Sequence, residues 1–303
     1  MTASSKMATS FTSATAADQV RGDFQFLEGP VWVAGGPRSV VAEPCLLFSD
    51  IPANRIYRYS PKPNSFDVFR HPSNQANGNA LDPQGRLVTC EHETRRVSRT
   101  ESDGTVVPLA TQYEGKRLNS PNDVVCRSDG SVYFSDPPYG VKPEQRELDF
   151  QGVFRVDGRA RPPGLRRDEV ASATQAGAPQ LLVRDFVKPN GLAFSPDEKI
   201  LYIADTELGH VRAFDVNADG TIANDRVFCK VERSDGLRVD AEGALYICGM
   251  KAVEIFDRTG KKLGEITLPQ RPANLAFGDA DRKTLYICAR TSLYRVRVNV
   301  PGI

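Results

Sequence analysis

Six copies of one short pattern recur along the chain, and that recurrence limits the possible folds more than any other feature. Each copy is a β-branched or aromatic run bounded by polar turns: LLFSD at 46–50, LVTCE at 87–91, VYFSD at 132–136, LYIAD at 201–205, LYICG at 245–249 and LYICA at 285–289. Their second residues stand at 47, 88, 133, 202, 246 and 286, so the intervals are 41, 45, 69, 44 and 40 residues. A period of that length, with several short strands in each unit, is the spacing of propeller blades. The one long interval contains residues 141–180, where RARPPGLRRDEVASATQAGAP carries Pro, Gly and charge without strand periodicity. An inserted loop is expected there.

Each copy is followed by a second alternating run, RIYRYS, RRVSRT, GVFRVD, HVRAFD, AVEIFD or SLYRVR. Five copies then have a third run, such as FDVFR, VVPLA, LLVRDF, RVFCKV and LGEITL, and the sixth does not. A strand from the other end of the chain must complete the last blade, and FQF at 24–26 is well placed to supply it. Closing the ring this way removes an exposed sheet edge. The expected fold is all-β, a single six-bladed propeller of roughly 24 strands with four per blade, its ring closed by the N-terminal strand. Two packed β-sandwiches would need no such period.

Composition narrows the functional classes. The 303 residues carry 39 Lys and Arg against 38 Asp and Glu, a balance that gives no polyelectrolyte face and argues against a nucleic-acid partner. No apolar run approaches the roughly 18–20 residues of a membrane span. Residues 1–20, rich in Ser, Thr and Ala, lack a continuous apolar segment and read as a disordered tail, leaving 21–303 as the domain. The six cysteines stand singly, mostly in apolar runs, as reduced thiols of a cytoplasmic protein would.

Upstream of each repeat lies the strand that should line the central channel: EGPVW from 28, NGNAL from 77, NDVVC from 122, NGLAF from 190, DGLRV from 235 and ANLAF from 273. The leading residues are Glu28, Asn77, Asn122, Asn190, Asp235 and Ala273, and five of the six carry a side-chain oxygen. In a propeller these positions meet around one axis. Two carboxylates with carboxamides, and no converging His or Cys, make a site for a hard divalent cation, Ca²⁺ above all, with Mg²⁺ or Mn²⁺ as other candidates. Asn, Asp and Gly at strand starts also serve turns, although Glu28 is no turn residue.

At these residues the chain resembles the gluconolactonase, regucalcin and senescence-marker family of lactone hydrolases, from about Phe24 to Val298. The similarity rests on LEGPVW at 27–32, LNSPNDVV at 118–125, DPPYG at 136–140, KPNGLAFSPD at 188–197, SDGLRVD at 234–240 and ARTSLYR at 289–295. The resemblance implies a six-bladed propeller with a divalent cation on its axis. Glu28, Asn190 and Asp235 match the family's metal ligands, and Asn122 matches a position that binds metal or the substrate beside it. The ion implied is Ca²⁺, Zn²⁺, Mn²⁺, Mg²⁺ or Fe²⁺. One departure concerns the substrate pocket: the regucalcin branch has an Arg two residues before the Asn matched by Asn122, where this chain has Ser120. Arg117 in the preceding loop is the available substitute.

An axial cation could polarise a lactone carbonyl and bring water to it. Asp235 matches the family residue that also takes the water's proton, with Asp123 as rival, because a directly ligated carboxylate is a weak base. Arg117, Asn119, His92, Tyr139 and Asp123 are expected around the substrate, and Asp235 and Asn122 at the reacting group. The chain has no G-x-S-x-G elbow, H-E-x-x-H pair or G-x-x-x-x-G-K-[ST] loop, so serine-triad, zincin and P-loop chemistry have no support. The expected function is metal-dependent hydrolysis of a sugar lactone such as glucono-1,5-lactone by a monomer or weak homodimer. Two alternatives are another lactone, ester or organophosphate at the same metal, and a calcium-binding scaffold without catalysis.

Overall fold

The computed structural model describes residues 17–37, 39–158 and 178–303. It is a ring of six four-stranded antiparallel sheets, each running outward from the central axis. Blade one is Leu27–Val33, Cys45–Asp50, Arg55–Ser60 and Ser65–Arg70, and blade two is Ala76–Leu81, Leu87–Glu91, Arg96–Thr100 and Val106–Ala110. Blade three is Val124–Cys126, Ser131–Asp136, Gly152–Asp157 and Gln180–Val183, and blade four is Pro189–Phe194, Ile200–Asp205, His210–Val216 and Ile222–Lys230. Blade five is Leu237–Val239, Leu245–Cys248, Ala252–Phe256 and Lys262–Thr267. Blade six takes Asn274–Gly278, Thr284–Ala289 and Ser292–Arg297 from the end of the chain, and its fourth strand is Asp18–Arg21.

That fourth strand corrects one expectation. The ring is closed by the N-terminal segment, but the pairing is Asp18 with Arg295 and Gln19 with Tyr294, upstream of FQF. Phe24 instead turns inward and packs edge-on against Phe48 at 5.5 Å. The supposed tail therefore ends earlier than residue 20, and residues 1–16 lie outside the described residues. The inserted loop is also subdivided: Gly152–Asp157 within 141–180 is a blade strand, and 159–177 lies outside the described residues.

Six buried apolar clusters account for the repeat, one between each pair of neighbouring blades. Side chains of a strand alternate between faces, and both faces of a blade are covered. In Leu245–Cys248, Tyr246 and Cys248 face blade six, whereas Leu245 and Ile247 face blade four. The second strand of each blade is accordingly apolar on both sides, which is why LYIC-type runs recur rather than a polar-apolar alternation. At about 2 kcal/mol per fully buried large apolar side chain, each interface outweighs any single polar contact in the ring. Among the described residues no helix is long and apolar enough to cross a membrane. All six cysteines are free thiols.

Candidate active site

The inner strands start so close to the axis that backbone meets backbone. A Cβ on Gly29, at φ 52°, would stand 2.0 Å from the carbonyl oxygen of Asn77, and one on Gly236 would stand 2.3 Å from the Asn274 side chain. Neighbouring blades even exchange hydrogen bonds there, Gly78 N–H to the Asn122 carbonyl and Gly236 N–H to the Ala273 carbonyl, both at 2.8 Å. Glycine directly after the leading residue serves this close approach. Three of the inner ladders also shift register at the leading residue, between Glu28 and Val31, Ala76 and Asn79, and Pro189 and Leu192. A bulge at these points re-aims the neighbouring side chain toward the axis.

A cavity of about 420 Å³ opens at that end of the channel. Glu28, Asn77, Asn122, Asn190, Asp235 and Ala273 all line it, together with His92 and Tyr139. The shared register deduced from the sequence is thus one constellation in space. Glu28, Asn77, Asn122 and Asn190 are each no more than 5% exposed, and the Asp235 side chain is 13% exposed.

Burial pushes the Glu28 carboxyl well above the usual carboxylate range, and the charges of Asp235 and Asp123 add to the effect. Burial likewise raises Asp235, to about 7, against the opposing pull of Arg271. Arg271 lies 3.3 Å from Asp235 and is its only ion pair among the described residues, where Glu28 has none. Two acids crowded in a nearly dry site in this way favour an added cation, which would reverse both shifts.

The carboxamides are oriented to serve the same cation. Thr206 commits its hydroxyl proton to the Ser234 carbonyl at 2.7 Å, so its oxygen accepts from Asn190 Nδ2 at 3.0 Å. Asn190 is thereby left with its carbonyl oxygen as the end available to an ion. Asn77 donates to Asn122 Oδ1 at 3.0 Å and lies 3.1 Å from His92 Nε2, while its own Oδ1 is buried without a partner. Among the described residues no three His, Cys, Asp or Glu could together hold a metal. The fitting donor set is therefore two carboxylates with carboxamides, a hard-oxygen set.

Burial lowers His92 to about 4, so it is neutral near pH 7. Asp123 does not line the cavity; it lies beneath, where it accepts from Val124 N–H at 2.9 Å and Asn274 Nδ2 at 3.3 Å. Asn119 is likewise absent from the lining and serves the loop, with its N–H on Asp136 at 2.7 Å and its amide on the Asp136 and Phe150 carbonyls. Arg117 is exposed, hydrogen-bonds the Thr94 carbonyl at 3.3 Å, and also stands away from the cavity lining.

Sequence reasoning missed most of the rim: Phe26, Lys188, Arg233 and Arg271 line the cavity, and each stands two residues before a leading residue. All four lie in the loops just before the inner strands, Arg233 at φ 55°, and the shared offset of two residues was the signal that the sequence carried. Also missed was a use for the acid that ends four of the repeats. Asp50 accepts from Gln25 and Phe26 N–H at 3.0 and 3.1 Å, and Asp205 from Val187 and Lys188 N–H at 2.8 and 3.2 Å. In these two blades the repeat's own carboxylate pins the loop that presents the rim.

The SMP-30/Gluconolactonase/LRE-like region matches residues 26–291. A gluconolactonase of Zymomonas mobilis is 29% identical, with 95% of this chain and 83% of the relative covered. Pig regucalcin is 26% identical over 88% of this chain and 84% of its own. A solved gluconolactonase of Xanthomonas campestris superposes with a TM-score of 0.78 at 33% identity, covering 92% of this chain and 88% of its own.

Proposed function

Since the chain belongs to the SMP-30/gluconolactonase/LRE-like family and is a lactonase, we propose that it hydrolyses a sugar lactone such as glucono-1,5-lactone in this cavity, with a divalent cation, Ca²⁺ first among candidates. Glu28, Asp235 and Asn190 would hold the ion, with Asn122 or Asn77 beside them. The observation that carries the reading is the pair Glu28 and Asp235, two acids buried in the cavity lining whose one salt bridge among the described residues is that of Asp235 to Arg271. When bound, the ion supplies Lewis-acid polarisation of the acyl oxygen.

The chain's own groups do the rest. Water oxygen bonds the acyl carbon, the ring C–O bond breaks, the ring oxygen takes a proton, and the acid product releases one at neutral pH. Of the two candidate proton acceptors Asp235 lines the cavity, whereas Asp123 lies too deep, with both carboxylate oxygens hydrogen-bonded; ligation to the ion would weaken Asp235 as a base, so its role as acceptor rests on its position beside the reacting water. Neutral His92 and Asn122 present polar edges to the substrate's hydroxyls from the opposite side. The cytoplasm is the compartment proposed, a reading that the six free thiols support, and a monomer or weak homodimer is the proposed assembly.

The test is pH-stat hydrolysis of glucono-1,5-lactone by chelator-stripped protein, with Ca²⁺, Mn²⁺, Zn²⁺, Mg²⁺ or Fe²⁺ restored separately and the spontaneous rate subtracted. Ion-dependent acid release is expected. Full activity after stripping would overturn the metal, and no activity with any ion on any lactone would overturn the reading.

A further inference from the structure

The cavity is electrically lopsided. Blades four, five and six contribute Lys188, Arg233, Arg271 and Arg290, whereas Glu28 and Asp235 are the only acids that line it among the described residues. A divalent cation would neutralise those two carboxylates and leave the basic groups in excess. Lys188 and Arg233 share one acid, Glu207, at 3.3 and 3.1 Å. Arg290 makes no salt bridge among the described residues and lays its guanidinium over Phe26 at 5.3 Å. Arg271 bonds the Arg233 carbonyl at 3.0 Å, and its Nε is buried with no acceptor.

Among the described residues, blades two and three bring no Lys, Arg, Asp or Glu to the lining, only Asn77, His92, Asn122 and Tyr139, whose ring lies under Lys188 Nζ at 5.8 Å. The register explains the asymmetry. Two residues ahead of the leading residue, blade three has Ser120 and blade two Gln75, while blades four, five and six have Lys188, Arg233 and Arg271. Guanidinium groups with spare donors, held over a nearly dry floor, suit carboxylate or phosphate oxygens. A neutral sugar lactone gives them no charge to bind.

We propose that the substrate is an anionic lactone, one bearing a carboxylate or phosphate in addition to the ring ester, seated with that group against Arg233, Arg271 and Arg290. The proposal rests on the lactonase reading of the same cavity. Its ring ester lies over the Glu28 and Asp235 end, and its anion lies toward blades five and six. Hydrolysis then yields a dicarboxylate or a phosphorylated acid.

The experiment compares kcat/KM of the full-length, metal-loaded protein for a neutral aldono-lactone, an aldaric acid monolactone and a phosphorylated aldono-lactone. At least tenfold preference for one anionic lactone is expected, falling about tenfold in R290Q and largely restored in R290K, and weakening as salt screens the pair. The carboxylate and phosphate arms separate the two anions. Calorimetric binding of the open-chain products, dicarboxylate against monocarboxylate, gives a readout independent of turnover. Equal rates on neutral and anionic lactones would overturn the proposal and leave the lactonase reading standing. No turnover of any lactone with a retained preference for the dianion would overturn the lactonase reading, and the anionic lactone with it, leaving only an anion-binding wall; equal product binding as well would remove that wall too.

Discussion

Replacing Asp235 by Asn separates the energetic cost of the site from its use. The Asp235 carboxyl is raised from 3.8 to about 7, chiefly by burial. A displacement of that size is worth about 4 kcal/mol at about 1.4 kcal/mol per pH unit. Between those values the native carboxyl keeps a proton that the unfolded chain has lost, so stability falls as pH rises through the window, and the full cost is present above about pH 7. A carboxamide at this position has no such cost. In chelator-stripped protein, D235N should therefore gain on the wild type by about 3 kcal/mol between pH 5 and pH 8, the part of the window that this range spans. At about 2–4 °C per kcal/mol for a large domain, thermal unfolding should show the difference between the two proteins shifting by several degrees. Any change in packing is common to both pH values and drops out of the comparison. Added Ca²⁺ should stabilise the wild type and leave D235N nearly unmoved. A stability difference that stays constant from pH 5 to pH 8 would refute the reasoning.

Three other perturbations follow from the same geometry. Thr206→Val frees the Asn190 amide to rotate and should weaken Ca²⁺ binding by about 10–100-fold in a calorimetric titration, with little change in melting temperature; unchanged affinity would mean Thr206 does not orient a ligand. Gly29→Ala places a methyl against the Asn77 carbonyl and should cost several kcal/mol in urea unfolding, whereas Gly115→Ala, also at positive φ but in open space, should cost about 1 kcal/mol. Equal costs would discount the axial close packing. Deleting residues 1–22 removes Asp18–Arg21 from blade six and bares the edge of Ser292–Arg297, so the melting temperature should fall and light scattering rise; an unaltered melt would show that the ring does not depend on this closure.

The blade count and the leading residues were legible because both depend on local periodicity. Burial between two neighbours makes the second strand of each blade apolar on both faces, and that repeats visibly from Leu46 to Ala289. The closing strand was not legible, since DQVR has no apolar alternation of its own and becomes a strand only by pairing with Ser292–Arg297. Arg117 was expected near the substrate as the substitute for the Arg that Ser120 replaces, and Asn119 as a further polar group there, yet Asp136 holds Asn119 and Arg117 is exposed. Lys188, Arg233 and Arg271 show the converse. Their shared offset was present in the sequence, but only the convergence of three blades turns three scattered cations into one wall.

An anomalous difference map from crystals grown with Mn²⁺ as the reporter ion tests most directly whether Glu28 and Asp235 hold a catalytic cation at the mouth of the channel. One strong peak within ligating distance of both carboxylates and of Asn190 Oδ1 is expected. A map with no peak there, or with the ion bound only elsewhere, would contradict it.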